Sequence, residues 1–83
     1  LVDLDAALAA NQAILEIDPE QATALESLDR LFLALGREED LLKVLATKLT
    51  LADDEDERRA MQTRIGSIHE QLGHADQAIE AYQ

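Results

Sequence analysis

The eight residues Leu35-Gly36-Arg37-Glu38-Glu39-Asp40-Leu41-Leu42 recur as Leu72-Gly73-His74-Ala75-Asp76-Gln77-Ala78-Ile79, 37 positions further on. A chain that repeats itself at this spacing is built from one supersecondary unit used more than once. The neighbouring apolar positions keep the register: Leu28 falls on Ile65, Phe32 on His69 and Leu45 on Tyr82. A third, partial copy lies at the front, where Ala7 aligns with Leu41, Leu15 with Leu49 and Pro19 with Asp53 at an offset of 34. The three extra residues of the longer spacing fall in the acidic stretch Ala52 to Glu57.

The repeated unit is helical. One proline and three glycines punctuate a chain rich in Ala, Leu, Glu and Gln, all good helix formers. Apolar residues recur three and four apart, as in Leu25, Leu28, Leu31, Phe32 and Leu35, or Met61, Ile65, Ile68 and Leu72, which is the period of a helix with one buried face. Gly36 and Gly73 supply the left-handed residue that closes a helix. Asp18-Pro19 is expected to cap and open one. Asp53 to Glu57 put negative charge where a helix begins. These signals predict an all-α fold of five helices over 4–17, 20–35, 38–51, 56–72 and 75–83, with connections too short for anything but antiparallel neighbours. The organisation read from them is a single repeat fragment over residues 1–83, with a partial repeat 1–19, a repeat 20–55 and a partial repeat 56–83.

Helix pairs at a period near 34 resemble the tetratricopeptide repeat, whose pattern runs W-x2-L-G-x2-Y, then A-x3-F, then a closing proline. The likeness covers essentially the whole chain. Ile65-Gly66 stands at the L-G pair, Phe32 at the aromatic of the first helix, Ala78 and Tyr82 at the A-x3-F step, and Ala7 and Pro19 at the small residue and closing proline. Leu25 and Gln62 replace the tryptophan, Asp29 the glycine, His69 the tyrosine, Leu41 and Leu45 the A-x3-F pair, Asn11 its aromatic, and Asp53 the proline. The alanine-rich helices, the Gly-Arg turn and the acidic surface resemble bacterial repeat proteins. The resemblance implies an α-solenoid, a right-handed superhelix in which a small residue lets two helices approach and a large one fills the gap, with the first helix of each pair lining the concave side.

By this register the chain enters near the end of a first helix and stops within a second one, as a fragment of a longer array would. Leu1, Val2, Leu4 and Leu8 at one end, and Ile79 and Tyr82 at the other, lack the polar face of a capping repeat. Leu4, Leu8, Ile79 and Tyr82 are therefore the candidates for stacking on further repeats or on a second copy of the chain.

Composition removes several classes of function. Eighteen acidic against seven basic residues give a net charge of −11, which repels nucleic acid and anionic membranes. There is no cysteine, hence no disulfide framework and no thiolate metal site. No apolar run approaches the ~20 residues of a membrane span, and Leu1 to Asp5 lack the basic start of a signal peptide. A soluble piece is expected; nothing fixes its compartment, with the cytoplasm as the default.

Chemistry-bearing motifs are also missing. His69-Glu70-Gln71-Leu72-Gly73-His74 invites comparison with the zinc-protease helix H-E-x-x-H, but its histidines are five apart. Five residues of helix turn by about 500°, leaving the second imidazole roughly 140° from the first around the helix, and Gly73 is expected to end the helix between them. The pair is thus expected not to share a metal, His69 serving as a packing residue and His74 as a turn residue. Asp53-Asp54-Glu55-Asp56-Glu57 lacks the alternation, glycine and distal glutamate of a calcium loop and reads as solvated charge at a helix start. No nucleophile triad and no phosphate loop can be assembled. The expectation is no enzyme, no cofactor and no metal.

What remains is binding. The groove-facing positions of the resembled family fall on Thr23, Glu26, Ser27, Arg30 and Leu33, and on Thr63, Arg64, Ser67, Glu70 and Gln71. An arginine grips a carboxylate through two parallel hydrogen bonds, so Arg30 and Arg64 are the candidate peptide contacts, against the alternative that each pairs with a helix neighbour such as Glu26. Some members of the family clamp a chaperone's C-terminal carboxylate. Arg64 stands at the clamp's arginine, but Ser27 replaces an asparagine and Ala60 a lysine, so that ligand is not expected. The function expected is a scaffold for a protein or peptide partner, against two rivals: self-association into a homo-oligomer, or a regulatory arm of a larger enzyme or assembly.

Overall fold

The computed structural model describes residues 3–83, the Ala75 side chain apart, and is all-α. Five helices follow one another: α1 Leu4–Ile17, α2 Ala22–Leu35, α3 Glu38–Leu51, α4 Glu55–Gln71 and α5 Ala75–Tyr82. No strand occurs among the described residues. Leu1 and Val2, read above as part of an apolar end, lie outside them.

Local chemistry sets the helix ends. Asp3 caps α1 by accepting the Ala6 N–H at 3.1 Å. Asp54 caps α4 by accepting the Glu57 N–H at 3.2 Å, with Glu55, Asp56 and Glu57 in the first turn opposite the positive end of the helix dipole. The Asp18-Pro19 pair does not open α2, which starts two residues later than predicted. Asp18 instead closes α1, its N–H donating to the Ile14 carbonyl at 2.8 Å. Its carboxylate accepts the Glu20 N–H at 3.2 Å and its carbonyl the Gln21 N–H at 3.1 Å, so a local turn uses the groups that would have capped a helix. Gln21 takes over, its side-chain oxygen accepting the Thr23 N–H at 3.0 Å.

Both predicted glycine stops form, and they form alike. Gly36 (φ 69) donates its N–H to Leu33 and Arg37 donates to Phe32. Gly73 (φ 80) donates to Glu70, and His74 donates to His69 at 2.7 Å. This nested pair of bonds is the Schellman closure, in which the residue after the glycine also meets the side chain five positions back. Arg37 accordingly lies over the Phe32 ring at 5.2 Å, and His74 lies against His69. The sequence repeat is thus a repeat of local geometry.

The chain divides into two compact units, Leu1–Val44 and Leu45–Gln83, with the boundary inside α3. In the first, α1 packs on α2, and Leu8, Ala24, Leu25, Leu28, Phe32, Leu41 and Val44 are buried. Each large apolar side chain so covered contributes about 1.5–3 kcal/mol of transfer free energy. Leu8, expected on an exposed end, is only 5% accessible, because it is the α1 residue that the hairpin with α2 encloses. Asp29, at a position where the resembled family has glycine, is buried with a bonded partner.

In the second unit α4 packs on α5, and Leu45, Ala52, Gly66, Ile68 and Ala78 are buried. A Cβ placed on Gly66 would lie 2.6 Å from Tyr82 Cε1 and 2.8 Å from Cζ, so the aromatic ring rests directly on the glycine. A small residue on one helix admits a large one from the next. Arg58 of α4 closes the end of α3, its Nη1 donating to the Leu49 carbonyl at 3.0 Å and the Ala52 carbonyl at 3.3 Å.

Candidate functional site

The candidate contacts of α2 sit on one exposed stripe, but they differ in what they have left to offer. Thr23 lies in the capping turn and Glu26 already has an interaction partner. Leu33 is 63% exposed. Ser27, Arg30 and Leu31 form, with Ala7 and Asn11 of α1, the walls of a depression of about 250 Å³. Asn11 donates one amide hydrogen to the Ala7 carbonyl at 2.8 Å, and a primary amide has a second to give. The Arg30 guanidinium is exposed, and among the described residues no carboxylate pairs with it. In a chain with 18 acidic side chains and 7 basic ones, an arginine without a carboxylate partner lines the same depression as a hydroxyl and an amide, all hydrogen-bond donors. Sequence reasoning treated Asn11 only as a lost aromatic; its place opposite Ser27 and Arg30 follows from the way α1 crosses α2.

The α4 candidates lie in the other unit. The Thr63 hydroxyl donates back to the Arg59 carbonyl at 3.0 Å, a bond within its own helix. Arg64 is half-buried and already engaged, whereas Ser67 and Gln71 are exposed. Glu70 accepts a hydrogen bond from the Tyr82 phenol, which is held above its ordinary value of 10.0 by partial burial first and then by the hydrogen bond and charge of Glu70. Glu70 and Tyr82, assigned above to a groove and to a stacking surface, are therefore two halves of one α4–α5 contact. Of the stacking candidates, Leu4 is half-buried and Leu8 buried, while Ile79 is 56% and Tyr82 49% exposed.

The histidines require a correction. They were expected to point apart by roughly 140° of helix rotation, yet His69 Nδ1 and His74 Nδ1 are 3.2 Å apart, with ring centroids at 5.4 Å. Gly73 ends the helix between them, as expected, but its positive φ folds His74 back over the last turn of α4, so rotation along a single helix does not describe where the second ring goes. Beside His69, a second depression of about 320 Å³ is lined by Leu49, Gln62 and Ile65, and by Gln77, Glu80 and Ala81 of α5.

No protein-family model, no curated protein and no solved structure matches the chain. Among the described residues no helix is long and apolar enough to cross a membrane, and no three or more His, Asp or Glu side chains gather into a metal-holding group.

Proposed function

We propose that the chain is a stretch of tetratricopeptide-like repeats, an α-solenoid segment that serves as a protein-interaction scaffold and holds an extended peptide or a partner helix against the exposed faces of its first helices, without cofactor or turnover. The observation that carries this reading is the Asn11, Ser27 and Arg30 arrangement, in which a guanidinium without a carboxylate partner stands at a depression shared by two helices. The repeated glycine closure and the Tyr82 ring on Gly66 support the repeat assignment. The partner's contribution is a carboxylate, from an acidic side chain or a chain terminus, set beside short apolar groups that contact Ala7 and Leu31.

The test is selection from a displayed random-peptide library on the 83-residue chain, with Arg30→Glu in parallel. Enrichment of acidic peptides by the native chain and its loss in the variant is the expected result. No enrichment, or enrichment that Arg30→Glu leaves unchanged, refutes the proposal. A second reading, self-association, rests on the exposure of Ile79 and Tyr82. It requires a sedimentation coefficient that rises with concentration and that Ile79→Lys returns to the monomer value.

A further inference from the structure

We infer that His69 and His74 form a two-nitrogen chelate for a divalent late transition-metal ion, with Zn2+ the ion its bite fits, fastened across the Gly73 turn. The distance carries the argument. Two imidazole nitrogens bound to Zn2+ at 2.0–2.1 Å in a tetrahedron sit about 3.3 Å from each other, and the two Nδ1 atoms are 3.2 Å apart. With the centroids at 5.4 Å the nitrogens face one another nearly head-on in a hydrogen bond, one Nδ1–H donating to the other Nδ1, and the ion takes the place of that shared proton. Once the shared proton has left, a swivel of about 35° of each ring turns both lone pairs towards a common tetrahedral ion, and the terminal torsion of histidine is broad enough to permit it. Imidazole is a ligand suited to Zn2+, Ni2+ and Cu2+ and not to Mg2+ or Ca2+.

The surroundings favour a cation. His69 occupies the last turn of α4, where backbone carbonyls and the helix dipole present negative potential. Glu80 of α5 lines the depression next to His69, and the chain carries a net charge of −11. No third His, Asp or Glu among the described residues completes the set, so water fills the remaining positions and the site exchanges its ion readily. The first copy of the repeat is a built-in contrast: its equivalent contact is Arg37 over Phe32, which has no lone pair to offer. The chelate belongs to the second copy alone and does not depend on the scaffold reading.

Zn2+ titrated into the full chain near neutral pH, followed by the imidazole 15N and 1H resonances, tests the assignment. Both Nδ1 resonances should move together to a single saturation point at one ion per chain, and Mg2+ should leave them in place. His69→Gln and His74→Gln should each weaken binding by at least about tenfold, and acidification should release the ion, since protons compete for the same nitrogens. Far-UV circular dichroism of the metal-free variants checks that they remain helical; should one unfold, the native-chain resonances decide alone. Unmoved Nδ1 resonances, movement of one ring only, or equal Zn2+ binding by a His69→Gln/His74→Gln variant that remains helical would each overturn the inference and assign binding to surface carboxylates.

Discussion

Gly66→Ala is the most informative substitution in this chain, because two ordinary rules give it opposite signs. Inside a helix, alanine is favoured over glycine by about 1 kcal/mol, so a neutral site would gain stability. At Gly66 the added carbon meets the Tyr82 ring at 2.6–2.9 Å. Carbon atoms prefer about 3.5–4.0 Å, so the ring must retreat by roughly 1 Å; because Tyr82 is 49% exposed and the ring can swing outward, the cost lies at the low end of overpacking, about 1 kcal/mol. The retreat also draws the phenol away from Glu70. The net expectation is a change close to zero in the native chain, the cost of moving the ring offsetting the helix gain of about 1 kcal/mol. In a Tyr82→Ala background the obstacle is gone, and the same Gly66→Ala change should stabilise by up to about 1 kcal/mol. Urea unfolding followed by far-UV circular dichroism measures all four corners of the cycle. A Gly66→Ala gain that is equal with and without the ring would show that Tyr82 does not rest on Gly66, and the close-approach account of the α4–α5 hairpin would fall.

Three further outcomes follow from single features. The Tyr82 phenol should titrate above 10.0 in an alkaline absorbance titration, and Glu70→Gln should lower the midpoint, since the Glu70 hydrogen bond and charge both raise it; because the folded value is the higher one, the stability involved is complete below pH 10 and disappears as the pH passes the folded midpoint. Gly73→Ala has no steric neighbour within 4 Å, so its expected cost of about 1–2 kcal/mol comes from the left-handed backbone alone, and urea unfolding showing no loss would refute the strain at φ 80. Arg58→Met keeps the aliphatic stem but removes the guanidinium from the Ala52 carbonyl and leaves the Leu49 carbonyl with the Ala52 N–H alone; a loss of about 1 kcal/mol, with faster amide exchange confined to the end of α3, is the expected signature.

The sequence by itself determined the helices. Periodicity placed α1 and α3 over the very residues observed, Gly36 and Gly73 marked the stops of α2 and α4, and the acidic stretch Asp53 to Glu57 marked the start of α4, because such signals act between residues a few positions apart. The internal repeat was equally legible, since it is a property of the string. Tertiary structure decided which side chains meet. Leu8 looked like an exposed apolar end and is enclosed, because burial depends on where α2 lies. Glu70 and Tyr82 looked like parts of different surfaces and bond each other, because the hairpin of α4 and α5 brings together positions twelve apart. Asn11 joined Ser27 and Arg30 only through the crossing of α1 and α2. The histidines are the sharpest case: helical rotation placed them apart, while one glycine dihedral at position 73 brought their nitrogens to 3.2 Å. Their meeting was encoded in the sequence as a glycine closure, in which the residue after the glycine contacts the one five before it, but only a folded turn converts that adjacency into a pair of facing ligands.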